Sequence, residues 1–288
     1  MDSRKKNKAV ILAAGLGSRL STLEWHKSVA PIGPFSRRED TNVSFISRQI
    51  RLLRLAGVSD VAVVVGHKRD EVIKELAGLN VKIIVNDTQD ISQSGSLHSF
   101  QYACLSDFHP LDRASHTLIM DADIVYEYSV LEKFIAGHGN ESSLLITPNT
   151  AEDSEEVRVY GQDKPQFIGK GLKPRLIGGA PCLGEATGIV HIAPDDHQLA
   201  LELTHWLLGN PTLPESSFEF KGFGPARRKT EHEELSQRLM MLEKLSAKFL
   251  DADMLFMEVD FHTEYDACRS HVYPKILDAD HRKYPELF

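Results

Sequence analysis

The chain has 288 residues, of which 26% are charged, and a formal net charge of −8 at pH 7. This acidic balance excludes a general polyanion-binding surface of the kind that nucleic-acid partners require, so any bound anion must be held by a local site. The three cysteines are odd in number and lack paired spacing, which argues against a disulfide framework or a structural zinc site and favours a reducing cytoplasm.

The N-terminal region combines a basic start, Arg4 to Lys8, with an apolar run that ends at Ala14. A secretory signal or a membrane span needs a longer apolar segment, and Arg19 follows this run almost at once. No other stretch of the sequence approaches a span. We therefore expect a cytoplasmic protein that does not insert into a membrane.

The first half of the chain alternates short β-branched runs with amphipathic helical patterns. Strand patterns at Ala9–Gly15, Val61–Gly66 and Val81–Asp87 are separated by helical patterns at Phe45–Gly57 and Asp70–Leu79. Continuous apolar strands with interleaved amphipathic helices are typical of a sheet that is covered on both faces. The sequence thus predicts an α/β fold with a doubly wound, mostly parallel, Rossmann-like sheet and helices on both faces.

The second half has a less regular rhythm of elements. Strand patterns occur at Thr117–Met120, Ser142–Thr147 and Gly184–Ala193, and a hairpin pattern occurs at Val157–Gly171. A helical stretch from about Thr230 to Phe249 leads into a late apolar strand, MLFMEVD. Loops are expected at Gly33–Val43 and Gly209–Lys229.

The first strand runs into a glycine-rich turn, AVILAAGLGSRL, from Ala9 to Leu20. Backbone N–H groups in such a turn, and at the start of a following helix, can bind an anion, and Arg19 adds a forked cation suited to phosphate oxygens. Gly15 and Gly17 would permit positive φ angles or a close approach of the ligand to the backbone. The alternative is that the turn binds no anion and is a plain connection from strand to helix, with Arg19 exposed at the surface.

Two other phosphate-binding motifs fail at this turn. A dinucleotide fingerprint needs a third small residue where Leu20 stands. A P-loop needs Gly-Lys-Ser/Thr where Ser18-Arg19-Leu20 stands.

The acidic tripeptide Asp-Ala-Asp occurs three times, and only the copy at Asp121–Asp123 comes directly after an apolar strand. That position is the carboxyl edge of a parallel sheet, where open α/β folds bind ligands. Hard carboxylate oxygens at such an edge suit Mg²⁺ held together with substrate phosphates. A helix cap or a solvated strand end is the alternative for these acids.

With these motifs, the chain resembles the nucleotidyltransferases that join a nucleoside triphosphate to a phosphorylated small molecule. Their signature is an apolar strand running into A-A-G-x-G-[ST]-R-L, followed downstream by a lysine and a proline. This sequence has Ala13–Leu20, then Lys27 and Pro31, although the spacing is shorter than usual and His26 stands where a proline usually precedes the lysine. The resemblance implies that Arg19 and Lys27 carry positive charge to the triphosphate. The implied nucleotide-binding residues of the turn are Leu12, Ala13, Ala14, Gly15, Gly17, Ser18 and Arg19.

The resemblance also implies a magnesium site made by two acids. Asp123 matches the family's metal-binding acid after the strand, and Asp121 would support the site without binding the metal directly. The second ligand in the family ends a late strand, in a pattern that Glu258-Val259-Asp260, followed by Glu264-Tyr265-Asp266-Ala267, fits. We therefore expect Asp123 and Asp260 to bind Mg²⁺ and to form the catalytic set with Arg19 and Lys27.

Further segments match the family on the base side and the acceptor side. Ser94-Gly95-Ser96 resembles its base-binding loop, Lys170 resembles a hairpin lysine that contacts the acceptor phosphate, and Glu185 lies on the acceptor-side strand. The layout is most similar to the phosphocholine and phosphonate cytidylyltransferases. However, Ser92-Gln93 stands where they usually have Asn-Asn, so the resemblance does not decide which base is bound. Tyr126 is an aromatic candidate for holding a quaternary ammonium, with packing beneath the site as the alternative.

The implied reaction transfers a nucleoside monophosphate, CMP from CTP in the favoured case, to phosphocholine or 2-aminoethylphosphonate and releases pyrophosphate. A single domain over 1–288 would have a nucleotide-binding half at 9–130 and an acceptor-side half at 131–275. The alternatives are a sugar-1-phosphate nucleotidyltransferase using UTP, dTTP or GTP, a metal-dependent glycosyltransferase and a non-catalytic nucleotide sensor. No nucleic-acid or membrane partner is expected, and a homo-oligomer is compatible with the sequence.

Overall fold

The computed structural model of the chain describes residues 6–20, 24–150, 156–209 and 230–288. Its strands are β1 (Asn7–Ala13), β2 (Pro31–Pro34), β3 (Asn42–Ser44), β4 (Asp60–Val65), β5 (Lys82–Val85), β6 (His116–Asp121), β7 (Ile124–Tyr126), β8 (Ser142–Thr147), β9 (Val157–Gly161), β10 (Pro165–Lys170), β11 (Cys182–Ile192), β12 (Leu245–Phe249) and β13 (Phe256–Glu258). Its α-helices are α1 (Phe45–Leu55), α2 (Arg69–Glu75), α3 (Ser96–Leu105), α4 (Tyr128–Ala136), α5 (His197–Gly209), α6 (His232–Met241), α7 (His262–Ala267) and α8 (Tyr273–Lys283).

The central sheet extends in both directions from β1. Strand β1 pairs in parallel with β4 on one edge and with β6 on the other, and β5 adds in parallel to β4. Beyond β6, strand β11 runs antiparallel to β6, β8 and β9, while β10 and β12 complete the described sheet. The predicted α/β fold with a doubly wound sheet is confirmed, and the predicted hairpin is formed by β9 and β10.

Both faces of the sheet are covered because successive side chains of β1 point to opposite sides. Ala9, Ile11 and Ala13 pack in one core with α1, α4 and α8, whereas Val10 and Leu12 pack in the other core with α3, α5 and α6. Burial on both faces requires the continuous apolar strand seen in the sequence. Among the described residues, every helix is too short or too polar to cross a membrane.

The order of the parallel strands creates a crevice beside β1. Strand β4 lies on one side of β1 and β6 on the other, so the loops that leave the carboxyl ends of β1 and β6 diverge. Open α/β sheets bind ligands at such a point. Leu12 lies opposite Asp121 in the sheet, and the glycine-rich turn after Ala13 therefore begins beside the first Asp-Ala-Asp tripeptide.

A two-stranded ribbon brings the late acidic residues to the same crevice. Strand β7 follows β6 almost directly, and β13 pairs antiparallel with it so that Glu258 lies opposite Ile124. The Val259 N–H then donates a hydrogen bond to the Asp123 carbonyl at 3.1 Å. Residues far apart in sequence are thereby joined backbone to backbone.

A predicted helix and a predicted loop differ from the structure. The helix expected from Thr230 to Phe249 ends at Met241, and Leu245–Phe249 instead forms β12, because it pairs in parallel with β8. Within the expected loop Gly33–Val43, both ends belong to the antiparallel pair β2 and β3. Of the second expected loop, residues 210–229 lie outside the described residues, and Gly209 ends α5.

The glycine-rich turn does not lead into an α-helix as predicted. Ser18–Leu20 forms a single 3-10 turn, and the next α-helix, α1, begins at Phe45. The side chain of Leu20 is buried in the core. Because no α-helix starts at this turn among the residues that the structure describes, the charge that favours an anion there comes from positive side chains rather than from a described helix N-terminus.

Helix α8 is anchored by a buried ion pair. Asp280 accepts hydrogen bonds from the Arg48 guanidinium at 2.6 Å and from the Tyr128 N–H at 2.7 Å, and both charged side chains are buried. We expect Asp280→Ala to lower the free energy of unfolding by roughly 3–5 kcal/mol, because Arg48 would keep an unpaired buried charge. Chemical denaturation measures this change.

Asp278 provides a matched control two residues earlier in the same helix. It pairs with Arg37 at the surface, where its side chain is 62% exposed. We expect Asp278→Ala to change the free energy of unfolding by less than about 1 kcal/mol. Equal losses in the two variants would contradict a special contribution from the buried pair.

Candidate active site

The buried His26 fixes the shape of the glycine-rich turn. Its Nδ1 accepts a hydrogen bond from the Ser28 N–H at 3.3 Å, so its proton lies on Nε2, which donates to the Gly15 carbonyl at 3.0 Å. Burial lowers the pKa of His26 and favours this neutral form. Gly17 adopts a φ of 56°, whereas a side chain added at Gly15 would meet no atom of the described residues within 4 Å. The turn therefore leaves room for a ligand directly against Gly15.

Two cations from the turn region reach the acids across the crevice. Lys27 Nζ lies 2.7 Å from Asp123 Oδ2 and 2.7 Å from Asp260 Oδ1. Arg19 forms an ion pair with the other carboxylate oxygen of Asp260. The four residues predicted as the catalytic set, Arg19, Lys27, Asp123 and Asp260, thus form one network.

Glu258 joins this network, although the sequence-based prediction gave it no role. Carboxylate oxygens of Asp123, Glu258 and Asp260 lie within 4.8 Å of one another. The sequence could have indicated Glu258 by its spacing from Asp260, because residues two apart lie on the same side of an extended chain. Glu264 accepts hydrogen bonds from the backbone N–H groups of Asp260 at 2.6 Å and Phe261 at 3.0 Å, which holds this end of the strand against α7.

Close packing of these charges shifts their pKa values in opposite directions. Burial and the charges of Asp123 and Asp260 raise the pKa of Glu258. Burial also acts to raise the pKa of Asp260, but Lys27 and Arg19 outweigh it, and the pKa of Asp260 is lowered. The pKa of Lys27 is raised because the two aspartates outweigh the effect of burial. The cluster therefore keeps Asp260 ionised and favours any cation that approaches it.

The three carboxylates fit a hard divalent cation. Mg²⁺ prefers oxygen ligands and is commonly held by one or two carboxylates together with substrate phosphates. Within the part of the chain that the structure describes, the buried Oδ1 of Asp123 has no hydrogen-bond partner. A buried carboxylate oxygen without a partner is an atom that a cation would satisfy. Asp123, Glu258 and Asp260 are therefore the residues that would hold Mg²⁺.

Asp121 lies beside the cluster and is closely held. Gln49 Nε2 donates to the Asp121 carbonyl at 3.1 Å, and His232 Nε2 lies 3.4 Å from Asp121 Oδ2. Gly188 passes so near that a side chain there would come within 2.3 Å of the same oxygen. Burial and neighbouring carboxylates raise the pKa of Asp121. These contacts suit a supporting role behind Asp123.

A cleft of about 270 Å³ lies between the glycine-rich turn and the acids. This is the nucleotide-side cleft. Its wall contains most of the predicted residues of the turn and the whole predicted catalytic set, namely Leu12, Ala13, Gly15, Gly17, Ser18, Arg19, Lys27, Asp123 and Asp260. Ala14 instead packs in the core beneath the turn.

The predicted base-binding residues Ser94, Gly95 and Ser96 are covered by the segment that begins α6. Glu231 Oε2 accepts a hydrogen bond from the Ser96 N–H at 2.6 Å, and a side chain at Gly95 would come within 2.1 Å of the Thr230 carbonyl. Glu231 itself lines the nucleotide-side cleft. A carboxylate therefore faces the cleft where the loop backbone was expected, and no local sequence pattern marks Glu231 for this position.

A second cleft, of about 340 Å³, meets the first at Asp260. This acid-lined cleft has six carboxylates and no lysine or arginine in its described wall. Phe256 and Met257 supply apolar surface. Such a wall is suited to a ligand that carries a positive charge. The six acids are Glu156, Glu185, Asp251, Glu258, Asp260 and Glu264.

Glu185, a predicted acceptor-binding residue, is fixed in the wall of the acid-lined cleft. Asn149 Nδ2 donates to its Oε2 at 2.8 Å, and the Arg158 guanidinium lies 3.6 Å from the same oxygen. Burial, followed by a hydrogen bond with Glu185, raises the pKa of Glu156 to about 7. Glu156 therefore holds a proton for part of the time near neutral pH and can hydrogen-bond to Glu185, and the sequence gave no indication of this pairing.

The other two predicted acceptor-binding residues have different positions. Lys170 ends β10 close enough to the cluster for its charge to favour the ionised forms of Glu258 and Asp260. Tyr126 is only 1% exposed and packs nearly parallel to Phe256, with ring centroids 6.5 Å apart. The predicted contact of Tyr126 with an acceptor is incompatible with this burial. Phe256, on the paired strand β13, reaches the cleft instead.

Several known proteins are similar to this chain in sequence. Residues 9–191, more than half of the chain, match the MobA-like NTP transferase domain family. The mannose-1-phosphate guanyltransferase of Emericella nidulans is 26% identical over 170 residues, which cover 56% of this chain and 43% of that protein. The CMP-5'-(3-aminopropyl)phosphonate synthase of Streptomyces rubellomurinus is 32% identical over 133 residues, 45% of this chain and 19% of that protein. The chain thus spans less than half the length of these curated relatives.

A solved structure shares the fold over nearly the full length of the chain. The inositol-1-phosphate CTP transferase from T. maritima has a TM-score of 0.65 and covers 96% of this chain and 97% of its own. The two sequences are 13% identical. At this level of identity, the likeness establishes a common fold.

Gly188→Ala tests how much the close packing of Gly188 against Asp121 contributes to stability. Gly188→Ala would strain a backbone at φ 71° and place a methyl group against Asp121 Oδ2. We expect it to lower the free energy of unfolding by about 2–4 kcal/mol, combining left-handed backbone strain with overpacking. Thermal and chemical denaturation measure the loss.

Gly178 is the matched control, because its φ is 70° and none of the described atoms lies within 4 Å of an added side chain. Gly178→Ala should cost only the backbone strain, about 1–2 kcal/mol. The difference between the two variants isolates the contact with Asp121. A loss at Gly188 no larger than at Gly178 would show that the close approach is unimportant.

Proposed function

We propose a reaction for this chain from one premise: it belongs to the MobA-like NTP transferase domain family. The proposed reaction transfers a nucleoside monophosphate from a nucleoside triphosphate to a small phosphorylated or phosphonate acceptor and releases pyrophosphate. CTP is the favoured nucleotide. The favoured acceptor carries an amine or a quaternary ammonium, as 2-aminoethylphosphonate and phosphocholine do.

The observation that carries the proposal is the junction, at the carboxylate cluster, of a cleft that contains two cationic side chains with a cleft that is lined by acids. Arg19 and Lys27 lie in the nucleotide-side cleft, which suits a triphosphate. The acid-lined cleft suits the cationic end of an acceptor. An acceptor with its anion at the junction and its cation in the acid-lined cleft would place its phosphate oxygen beside the α-phosphate.

Each residue of the cluster has a defined part in the proposed reaction. Mg²⁺ held by Asp123, Glu258 and Asp260 would supply positive charge to the phosphate oxygens during transfer. Arg19 and Lys27, which offset the charge of the aspartates in this structure, are placed to offset the charge of the departing pyrophosphate. Lys170 would orient the acceptor at the junction.

The bond changes require little acid–base chemistry from the protein. An oxygen of the acceptor phosphate or phosphonate attacks the α-phosphorus in line, and the bond to the bridging oxygen of the pyrophosphate breaks. The attacking oxygen is already anionic near neutral pH, so no general base is needed. The protein must instead hold two anions together and offset their charge, which positioning and fixed cations achieve.

Glu231 supports the choice of nucleotide. Its carboxylate lines the nucleotide-side cleft and can only accept hydrogen bonds when ionised. Cytosine, guanine and adenine carry amino donors on their base edges, whereas uracil and thymine present a carbonyl oxygen at the position of the cytosine amino group, so the carboxylate disfavours UTP and dTTP. The two curated relatives described above are named for guanyl and CMP chemistry. CTP is favoured because one relative is a phosphonate synthase, which agrees with an acid-lined acceptor cleft.

A sugar-1-phosphate nucleotidyltransferase is the second candidate. The similarity to a mannose-1-phosphate guanyltransferase favours it, and carboxylates can accept hydrogen bonds from sugar hydroxyl groups. The six carboxylates without a basic residue in the described cleft wall favour a cation over a neutral sugar. A metal-dependent glycosyltransferase is disfavoured by the family, and a non-catalytic sensor would not need the three-carboxylate cluster.

Pyrophosphate release over a grid of substrates tests the proposal. Four nucleoside triphosphates are combined with phosphocholine, 2-aminoethylphosphonate, mannose 1-phosphate and glucose 1-phosphate in the presence of Mg²⁺. We expect CTP with an amine-bearing acceptor to give the highest kcat/KM, and Asp123→Asn to reduce turnover ~10²-fold or more because charge beside the α-phosphate is lost.

Glu185→Gln separates the two favoured acceptors. A primary amine donates hydrogen bonds to a carboxylate, whereas a quaternary ammonium has no N–H to donate. The variant should therefore lose more kcat/KM with 2-aminoethylphosphonate than with phosphocholine. If a sugar 1-phosphate turns over faster, the acceptor is a sugar 1-phosphate rather than an amine-bearing phosphate. If no pair of substrates releases pyrophosphate, the proposed reaction is wrong.

Glu231→Gln tests the nucleotide assignment. Glutamine keeps an oxygen for the Ser96 N–H and gains an NH₂ group that can donate to uracil, so we expect the ratio of kcat/KM for CTP over UTP to fall by roughly 10-fold. Glu231→Ala is the control, because it removes both the bond to Ser96 and the group facing the base. An unchanged ratio in Glu231→Gln would leave Glu231 only the role of holding the start of α3.

A further inference from the structure

Three histidines lie together at the end of the sheet opposite the carboxylate cluster. His116 begins β6, His191 is the second-last residue of β11, and His138 follows the end of α4. Strand residues rise about 3.3 Å each, so His116 is roughly 17 Å from Asp121 along β6. The group therefore lies apart from both clefts of the candidate active site.

The imidazole nitrogens of the three histidines converge. One ring nitrogen of each lies within 4.8 Å of the other two. His116 Nδ1 and His191 Nε2 share a hydrogen bond of 2.9 Å, and the rings of His138 and His191 stack with their centroids 3.8 Å apart. His191 is fully buried, whereas His116 and His138 are partly exposed, which provides a path from solvent.

One nitrogen of the group lacks a partner. His138 Nδ1 lies 3.3 Å from Asn7 Oδ1, but its buried Nε2 has no hydrogen-bond partner among the residues that the structure describes. A buried polar nitrogen without a partner is costly. Burial lowers the pKa of His138 to about 3 and that of His191 to about 2. Both rings are thus neutral at physiological pH, the form in which imidazole binds metals.

We propose that His116, His138 and His191 form a binding site for a divalent transition metal of the zinc type. Neutral imidazole suits Zn²⁺, Co²⁺ and Ni²⁺, whereas Mg²⁺ prefers oxygen ligands. Three protein ligands with solvent in the fourth position are a common coordination set for zinc. The proposed site therefore differs in chemistry as well as in position from the carboxylate cluster.

Metal binding at this site requires small movements of the rings. Zn–N bonds of about 2.0–2.1 Å in a tetrahedral site separate the ligand nitrogens by roughly 3.3 Å, so the His116–His191 pair must open by a few tenths of an ångström. His138 must also turn out of its stack, because the lone pairs of parallel rings do not converge. Its neighbours Gly137 and Gly139 permit this movement, since glycine restricts the backbone least.

The metal would join separate parts of the fold. It would link β6 and β11 to the end of α4, and it would stabilise the folded chain because the unfolded chain lacks a preformed site. The charge of Lys248 contributes to the low pKa values of His138 and His191 and would oppose a bound cation. Lys248 is exposed, however, and salt screens its effect.

A Co²⁺ titration of the full chain tests this site. An excess of Mg²⁺ is kept present to occupy the carboxylate cluster, and visible absorption reports tetrahedral coordination by nitrogen. We expect one equivalent of Co²⁺ to bind, to be displaced by Zn²⁺ and to raise Tm. His138→Gln should weaken binding by ~10-fold or more, because one of three ligands is lost. His205→Gln, at an exposed histidine of α5, is the control and should bind as the unaltered chain does.

Two results would overturn the proposal. One is the absence of Co²⁺ binding by the unaltered chain when Mg²⁺ is in excess, and the other is equal affinity in the His138→Gln and unaltered chains. Thermal melts without metal establish that each variant folds. If His138→Gln does not fold, His116→Gln, also at a partly exposed position, takes its place with the same expected loss.

Discussion

Repulsion among three carboxylates is the constraint on which the rest of the site depends. Oxygens of Asp123, Glu258 and Asp260 lie within 4.8 Å of one another, a distance at which like charges strongly disfavour joint ionisation. Lys27 lies between two of them and offsets part of this cost. Backbone hydrogen bonds between β7 and β13 offset the remaining repulsion, because they fix the carboxylates in positions that the charges alone would push apart. A cluster that is unfavourable without cations is one that binds them.

The same constraint explains why the two clefts differ in charge. On one side of the cluster, the glycine-rich turn brings Arg19 and Lys27 toward the acids and is itself shaped by His26. On the other side, further carboxylates line the wall, and the raised pKa of Glu156, which hydrogen-bonds with Glu185, relieves part of their repulsion. Anionic and cationic parts of two ligands can thus be bound on opposite sides of one reaction centre, with Asp260 common to both walls.

Sequence patterns predicted the fold best where burial dictates residue type. The run Val61–Val65 is buried on both faces of the sheet, and only a central strand needs that composition. The pattern failed at Leu245–Phe249, where pairing with β8 decides the conformation of a segment that also suits a helix. Of the two interpretations of Tyr126, packing beneath the site is the one that the structure supports, and a three-residue strand is too short for its sequence to show which face is buried. Local sequence carries no record of such long-range partners.

The sequence by itself determined the alternation of strands and helices in the first half of the chain and the position of the glycine-rich turn, because both follow from local patterns. It also singled out Arg19, Lys27, Asp123 and Asp260 by their match to a family motif. Only the tertiary structure added Glu258 and Glu156 to the acids, set Glu231 over the expected base loop and gathered His116, His138 and His191. Those groupings join residues far apart in the chain. They arise from strand pairing and helix packing, whose geometry is fixed only when the whole chain folds.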